Sequence, residues 1–426
     1  MIKRRLAISI IPILVTLFAV TPTFAQGEAL AGDFTVSHYF GGFGGEFIEE
    51  IVDGFVAENP GLNREESPVD HEQFKTSILV QLAGGNPPDT FSYWAGARIQ
   101  FIVDGDRLQP IDDVWTENDL GSMFPQAVID TGLTYNGQIY AVPLTLHWVG
   151  MFYNTALFEQ VGAGVPQTWD ELVEVAERFK EAGIPAFSLG SRERWPAQFW
   201  FDMILLRTAG NDYRNRLMNG EASYTDPEVV RAFSLWKELV DAEYFHPDAN
   251  AYDYIQSADF VANGEAAMTL MGTWIGGHYT SDLGMVPGED YDYFAFPIID
   301  EGVPHASLGP VDTFVVSKEA ANSDAAKAFL VYLTDPEVQL AFADGAGNLA
   351  PSLMADTSGY DPVKQRIAEE IARDPVFAYN YDLATPPPVA EVGLNAFSEF
   401  MARPGNFEAL LERVQQDAAA EFADLN

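Results

Sequence analysis

The sequence has 426 residues, with 63 Asp and Glu against 23 Lys and Arg, which gives a formal net charge of −40. This acidity rules out nucleic acid as a partner and disfavours an anionic membrane surface, because polyanions are bound through Lys and Arg contacts to their phosphates. The absence of cysteine excludes disulfides, thiolate metal sites, a cysteine nucleophile and a lipid-modified N-terminal cysteine. Hydrophobic residues make up 47 %, enough for a large core, and at ~100–200 residues per domain the length predicts two lobes.

The N-terminus has the three parts of an export signal. Lys3, Arg4 and Arg5 precede an apolar run over residues 6–20, and Ala25 supplies the small residue at a cleavage point. A transmembrane helix needs ~20 apolar residues, so an uncleaved anchor is the weaker alternative. We therefore expect residues 1–25 to be removed as a signal peptide. The mature chain would then be exported, to the periplasm or the cell exterior, without a lipid anchor.

Beyond this segment, strand and helix patterns alternate. The run Phe34–Phe40 predicts a strand, and the apolar stripe over Glu46–Glu58 predicts a helix. Thr168-Trp-Asp-Glu171 has the spacing of a capping box at a helix start, and Thr225-Asp-Pro-Glu228 and Thr334-Asp-Pro-Glu337 repeat it with Pro in the first turn. Further strand-like runs lie at Gly137–Val142, Met151–Tyr153, Ala267–Leu270 and Val311–Ser317. Strands interleaved with helices of about 10–15 residues indicate an α/β protein.

Several short motifs follow one another in a recognisable order between residues 33 and 355. They are Ala83-Gly-Gly-Asn-Pro-Pro-Asp89, Leu108-Gln-Pro-Ile-Asp-Asp113, Asn136-Gly-Gln-Ile-Tyr-Ala-Val-Pro143, Tyr153-Asn154, Val165-Pro-Gln-Thr-Trp-Asp-Glu-Leu172, Asn263-Gly-Glu-Ala-Ala-Met268 with Gly272-Thr-Trp274, and Ala326-Lys-Ala-Phe-Leu330. In order and spacing the chain resembles the family 1 extracellular solute-binding proteins, the maltose-binding-like receptors of ABC sugar importers. The last 70 residues match only in being mostly helical.

The resemblance implies a two-lobed α/β clamshell of the type II periplasmic-binding-protein class, with discontinuous lobes. It places residues 26–140 and 310–350 in the N-terminal lobe and residues 141–309 and 351–426 in the C-terminal lobe. Hinge crossings are then expected near 140–143, 307–310 and 350–351. In such a receptor a sugar binds between the lobes, and the membrane permease subunits recognise the closed form. We expect a monomer with no cofactor and no metal.

A sugar stacks its C–H faces on aromatic rings, so the eight tryptophans are the first candidates for ligand contact. The resemblance places Trp94, Trp148, Trp195 and Trp274 at the cleft, whereas Trp169 and Trp236 lie on helix patterns typical of a core. For each of the four, burial in the core is the alternative.

Polar candidates are expected to meet the sugar hydroxyls. Arg98 follows Trp94 by one helical turn, and its alternative role is a surface salt bridge. His147 lies beside the first crossing, and Asp312 interrupts an apolar strand, where it is either a hydroxyl acceptor or a satisfied structural residue. The end of the first strand and the turn after it add His38, Tyr39 and Phe43 as further candidate ligand-binding residues.

Other function classes are less well supported by the residues. The glycine-rich turn at residues 41–45 lacks the spacing and the Lys of a phosphate loop, and the six histidines include no ligand-spaced pair. A glycosidase needs only two carboxylates at a suitable separation, so a carbohydrate-active hydrolase stays an alternative. A third hypothesis keeps the receptor fold with a polyol, a polyamine or another non-sugar solute as ligand. The candidates named here are mainly aromatic with Arg and His, which favours a neutral sugar.

Overall fold

The structure is a computed structural model that describes residues 29–41 and 44–425. The expected signal peptide at residues 1–25 and the candidate Phe43 lie outside the described residues. Within the described part of the chain, no helix has both the length and the apolar character needed to cross a bilayer.

The chain alternates short strands with helices, as the pattern predicts. The strands are β1 (Gly32–His38), β2 (Leu62–Pro68), β3 (Thr90–Trp94), β4 (Thr134–Tyr135), β5 (Gln138–Ile139), β6 (Ala141–Leu146), β7 (Val149–Asn154), β8 (Phe187–Ser188), β9 (Met268–Gly272), β10 (Tyr291–Phe294), β11 (Ser307–Leu308), β12 (Val311–Val316) and β13 (Phe377–Ala378). The helices are α1 (Gly45–Glu58), α2 (His71–Gly84), α3 (Ala97–Asp104), α4 (Asp112–Glu117), α5 (Gln126–Val128), α6 (Thr155–Val161), α7 (Trp169–Glu181), α8 (Gln198–Thr208), α9 (Gly210–Met218), α10 (Pro227–Asp241), α11 (Tyr254–Ala262), α12 (Trp274–Gly277), α13 (Ser323–Tyr332), α14 (Pro336–Gly345), α15 (Pro362–Arg373), α16 (Tyr381–Ala384), α17 (Pro387–Ala402) and α18 (Phe407–Leu425).

The first lobe is built on a five-stranded sheet with the strand order β2-β1-β3-β12-β6. Strand β1 pairs in parallel with β2 and β3, whereas β12 runs antiparallel to both β3 and β6. Every residue of β12 is buried, as is typical of a strand inside a sheet that is covered on both faces. Pro143 lies in β6, which is an edge strand, where a missing N–H does not interrupt the ladder.

The second lobe is built on a four-stranded sheet with the order β10-β7-β9-β8. Its core continues into the C-terminal helices, where Phe233 of α10 packs against Phe400 of α17 and Phe407 of α18. Phe201 of α8 stacks on Phe397 with ring centroids 4.8 Å apart. The last 70 residues, which the sequence motifs do not cover, therefore complete the hydrophobic core of the second lobe.

The chain passes from one sheet to the other at two adjacent points. It leaves the first sheet after Leu146 and enters the second at Val149, so the first sheet includes the segment Ala141–Leu146 that the expected boundary assigned to the second lobe. It returns between β11 and β12 through Gly309, where a Cβ atom would lie 2.1 Å from the carbonyl oxygen of His147. Glycine lets the two crossing segments touch, and their contact forms the base of the space between the lobes.

Candidate functional site

Four strand ends of the first sheet meet at one edge. Tyr39 follows β1, Trp94 is the last residue of β3, His147 follows β6, and Asp312 lies at the start of the antiparallel strand β12. Asp312 is paired in register with Trp94, and the register of β12 against β6 shifts between Asp312 and Thr313. Such irregularities redirect a side chain at the end of a ladder. In open α/β sheets, ligands bind in the crevice beyond this kind of edge.

The second sheet presents two tryptophans towards the same space. Trp274 begins α12 directly after β9, and Trp195 lies in the segment between β8 and α8. Because β8 and β9 are parallel, their carboxyl ends lie at the same edge of the sheet. The ring centroids of Trp195 and Trp274 are 5.9 Å apart in an edge-to-face arrangement.

Between the two edges lies a cleft of about 680 Å³ that is lined by residues of both lobes. Seven of the candidates from the sequence line it: Tyr39, Trp94, Arg98, His147, Trp195, Trp274 and Asp312. The lining also includes Asp70, His71, Glu72, Lys75, Arg192, Glu193, Arg194, Gln198, Asp253, Tyr254, Asn348, Asn380 and Asp382. The structure thus brings together aromatic rings, amides and charged groups in one concave space.

The aromatic residues of the cleft differ in how much ring surface they leave free. Tyr39 and Trp94 stack on each other at 4.1 Å, and each is 5 % exposed. Trp195 is also buried, whereas Trp274 is half-buried. The Trp274 ring lies close to the backbone of Gly272, where an added Cβ atom would be 1.9 Å from its Cζ3 atom. Among the three tryptophans of the cleft, Trp274 offers a ligand the most accessible ring.

His147 and Asp312 form a buried pair at the base of the cleft, with 2.7 Å between Nε2 and Oδ2. Since the carboxylate accepts the hydrogen bond, Nε2 carries the proton, and Nδ1 lies 3.3 Å from the Thr273 hydroxyl, from which it accepts in the neutral tautomer. Burial, together with the charge of Asp312, raises the pKa of Tyr39 well above its ordinary value. The Tyr39 hydroxyl is therefore protonated at neutral pH.

Arg98 forms an ion pair with Asp382, with 3.2 Å between Nη2 and Oδ2, and both side chains are only 6 % exposed. Arg98 also lies over the ring of Trp94, with its guanidinium carbon 5.5 Å from the centroid. Burial alone would lower the pKa of Arg98, but the carboxylate of Asp382 outweighs this effect and the pKa is raised. The surface salt bridge considered for Arg98 is thus a buried one that links α3 to a segment 284 residues away.

The family description for bacterial extracellular solute-binding proteins matches residues 43–340. The chain belongs to this family. An uncharacterised ABC transporter extracellular-binding protein of Pyrococcus horikoshii is 32 % identical over 77 % of this chain and 73 % of its own length. The xylose/arabinose-binding protein XacG of Haloferax volcanii is 23 % identical over 90 % and 84 % of the two chains.

Solved structures agree with this assignment. The bacterial solute receptor AcbH, described as having an exclusive preference for β-D-galactopyranose, superposes with a TM-score of 0.84 at 25 % identity, covering 92 % of this chain and 99 % of that one. The two-lobed fold of a periplasmic solute-binding protein, which the sequence motifs predicted, is confirmed.

Two candidates of this solute-binding protein do not reach its cleft. His38 is fully buried and contacts Glu66, with 2.8 Å between Nε2 and Oε1. Trp148 is 2 % exposed and packs edge-to-face on Tyr293. His38 directly precedes the cleft residue Tyr39, and Trp148 directly follows the cleft residue His147. Along an extended segment, successive side chains point to opposite faces. The structure therefore places one member of each neighbouring pair in the cleft and the other in the interior.

The first turn of α2 contributes cleft residues that the sequence pattern missed. The ring of His71 lies 6.0 Å from that of Trp195, across the gap between the lobes. The side chain of His71 keeps 36 % of its surface accessible. Desolvation by the surrounding walls of the cleft disfavours the charged imidazolium and lowers the pKa of His71. An N-cap aspartate directly before this helix, Asp70, is the local feature that could have indicated a helix start at the cleft.

Proposed function

We propose that this protein is the substrate-binding component of an ABC importer and that it holds a neutral sugar in the cleft between its lobes. The observation that carries the proposal is a set of cleft-lining residues that each have a buried polar atom without a hydrogen-bond partner among the described residues. These atoms are Arg98 Nε, Glu193 Oε2, Trp195 Nε1, Gln198 Nε2, Asn348 Oδ1 and Asn380 Oδ1. Buried polar groups are otherwise almost always paired, so a ligand that supplies the partners is favoured.

The unpaired set contains both donors and acceptors. Nitrogen atoms of Arg98, Trp195 and Gln198 donate, whereas oxygen atoms of Asn348 and Asn380 accept. A hydroxyl group can donate and accept, so a polyhydroxylated ligand can satisfy both kinds at once. The rings of Trp195 and Trp274 beside these atoms suit the apolar C–H faces of a sugar.

The charges of the cleft also favour a neutral ligand. Lys75 lies 2.8 Å from a Glu72 oxygen, and Arg192 lies 2.8 Å from an oxygen of Asp253. With the Arg98–Asp382 pair, these cations are already matched by carboxylates. Among the described residues Asp70 forms no ion pair and one oxygen of Glu193 has no partner, but a polyamine would need a cage of several such carboxylates. Similarity to a xylose/arabinose-binding protein and to a receptor with a preference for β-D-galactopyranose supports a sugar as well.

The proposal includes the export of the protein from the cytoplasm. Removal of residues 1–25 by cleavage after Ala25 would release a monomer into the periplasm or the cell exterior, without a lipid anchor because there is no cysteine to modify. Ligand contacts from both lobes would bias the chain towards a closed form that permease subunits recognise. We propose that it carries out no hydrolysis.

A thermal-shift screen of the mature protein tests this function. The ligands are D-xylose, L-arabinose, D-galactose, diacetylchitobiose, sorbitol and spermidine, and the free energy of unfolding rises by about 2.7 kcal/mol at a ligand concentration 100 times its Kd. We expect one sugar to raise the melting temperature and to change the intrinsic tryptophan fluorescence. Diacetylchitobiose should show no new reducing ends after incubation. Stabilisation by spermidine alone, or sugar cleavage in proportion to protein concentration, would contradict the proposal.

A further inference from the structure

Asp382 lies at the centre of a hydrogen-bonded group that joins three parts of the chain. Its carboxylate accepts from Arg98 Nη2 at 3.2 Å and from Asn380 Nδ2 at 2.7 Å, and its backbone N–H donates to Gln198 Oε1 at 2.8 Å. Each of these three partners has one further buried polar atom with no hydrogen-bond partner in the part of the chain that the structure describes: Arg98 Nε, Asn380 Oδ1 and Gln198 Nε2. All four residues line the cleft.

The chemistry of Asp382 dictates which way the two amides point. A carboxylate only accepts, so Asn380 must turn its NH2 group towards it, which leaves the carbonyl oxygen of Asn380 unpaired. A backbone N–H only donates, so Gln198 must turn its carbonyl oxygen towards Asp382, which leaves its NH2 group unpaired. One residue thus determines that this part of the cleft offers one acceptor and one donor from two amides.

We propose that Asp382 is a positioning residue for ligand specificity: it orients Asn380 and Gln198 so that they select a hydroxyl group, which donates to Asn380 Oδ1 and accepts from Gln198 Nε2. The inference rests on the proposed function, because it concerns the same cleft. It assigns the selection to residues 380 and 382, which lie beyond the part of the chain that matches the family description.

A second ion pair holds the segment that carries Asn380 and Asp382. Asp202 and Arg214 pair at 2.9 Å, and both are 0 % exposed. Asp202 accepts from the backbone N–H of Tyr381, and Arg214 donates to the backbone carbonyl of Tyr379. Because the backbone is held on both sides of Asn380, its amide can rotate while its position stays fixed. Such support is what a specificity site needs.

The substitution Asp382→Asn tests the orientation. An asparagine at 382 can still accept from Arg98 with its carbonyl oxygen, but its NH2 group then faces the NH2 group of Asn380. The amide of Asn380 must rotate to accept from it, and Asn380 then presents NH2 instead of the carbonyl oxygen to the cleft. The matched control is Asp104→Asn. Asp104 also accepts from an asparagine amide, that of Asn136 at 2.9 Å, but it lies on the surface outside the cleft.

The binding experiment uses D-xylose and D-galactose with their mono-deoxyfluoro derivatives, in which fluorine replaces one hydroxyl and cannot donate. In the unsubstituted protein, we expect the derivative that lacks the donor for Asn380 to bind about tenfold more weakly than its parent sugar. The penalty should fall below about threefold in Asp382→Asn and persist in Asp104→Asn. An undiminished penalty in Asp382→Asn would overturn the inference.

A measurement without ligand separates this inference from the proposed function. Selective ¹⁵N labelling of asparagine gives the side-chain NH2 signals, and Asn380→Asp identifies that of Asn380 by its disappearance. We expect slow hydrogen exchange for this NH2 in the unsubstituted protein, because it donates to Asp382 in a buried site. Fast exchange would overturn the inference even if sugars bind. Slow exchange with no sugar binding would support the orientation and contradict the proposed function.

Discussion

The contact between Trp274 and Gly272 offers a way to disturb the cleft without altering any polar group. An alanine Cβ at position 272 would lie 1.9 Å from Cζ3 of Trp274, whereas ordinary contact begins near 3.4 Å. The ring must therefore move by about 1.5 Å from its present position at the cleft. Gly150 on the neighbouring strand β7 provides a matched control, because its added Cβ would lie 2.0 Å from Trp148, a ring that does not line the cleft.

The two substitutions should cost similar stability but differ in their effect on binding. Forcing an extra methyl group into a packed site costs about 1–3 kcal/mol, so we expect both Gly272→Ala and Gly150→Ala to lower the melting temperature by several degrees. Displacing a stacking surface by more than about 1 Å weakens contacts that depend on close approach, and we expect Gly272→Ala to raise the Kd for the sugar at least about tenfold, or 1.4 kcal/mol. Gly150→Ala should change the Kd less than about threefold.

Fluorescence titration with the sugar that stabilises the protein best measures both Kd values, and differential scanning calorimetry measures both melting temperatures. The comparison is made at a temperature at which both variants are folded. Equal loss of affinity in the two variants would mean that general destabilisation explains the effect. Unchanged affinity in Gly272→Ala, with a lowered melting temperature, would refute the role of Trp274 as the stacking surface.

Three further outcomes are expected. Trp94→Ala should lower the melting temperature more than Trp274→Ala, because Trp94 is 5 % exposed and Trp274 is half-buried; removing a buried Trp costs about 3–5 kcal/mol, and equal losses in calorimetry would contradict this. Although burial raises the pKa of Glu72, the hydrogen bond from His71 and the charge of Lys75 lower it from 4.5 to about 2. The contribution of ionised Glu72 to the free energy of unfolding is therefore complete above pH 4.5 and is lost as the pH falls towards 2. In urea unfolding over that range, the unsubstituted protein should lose about 1 kcal/mol more of this free energy than Glu72→Gln. Finally, raising NaCl from about 0.01 to 1 M shortens the Debye length from about 30 to 3 Å, so at a net charge of −40 the melting temperature should rise; a constant value would contradict a destabilising self-repulsion.

The sequence predicted well what depends on local pattern. Tyr39 was expected from the end of a strand-like run, Trp94 and His147 from the family resemblance, and Asp312 as an acid within an apolar run. All four line the cleft, because the ends of neighbouring strands of one sheet converge in space. The capping box at Thr168 is present as predicted.

The remaining local predictions were wrong by one residue, either in the position of a helix N-cap or in the face of an extended segment. In the two repeats of the capping-box spacing, Asp226 and Asp335 take the N-cap position in place of the preceding Thr, because Pro occupies the first helical residue. His38 and Trp148 are each one residue away from a residue that faces the cleft. Side chains alternate between the two faces of an extended segment, and the sequence does not show which face is turned towards the cleft.

Long-range contacts could not be predicted. Asp382 lies 284 residues from Arg98 and 184 from Gln198, and no spacing rule relates residues so far apart. The segment that contains it follows the recognisable motifs and has only a helical pattern. The role proposed for Asp382 depends on the packing of α16 against both α3 and α8, which brings its carboxylate within reach of both lobes.

Isothermal titration calorimetry tests the central claim most directly. The mature protein is titrated with D-xylose, L-arabinose, D-galactose, diacetylchitobiose and spermidine, and each ligand is recovered afterwards for analysis. We predict saturable binding of a sugar with one site per chain and recovery of that sugar unchanged. Binding of spermidine without any sugar, or recovery of a cleaved sugar, would contradict the account of this chain as a sugar-binding receptor.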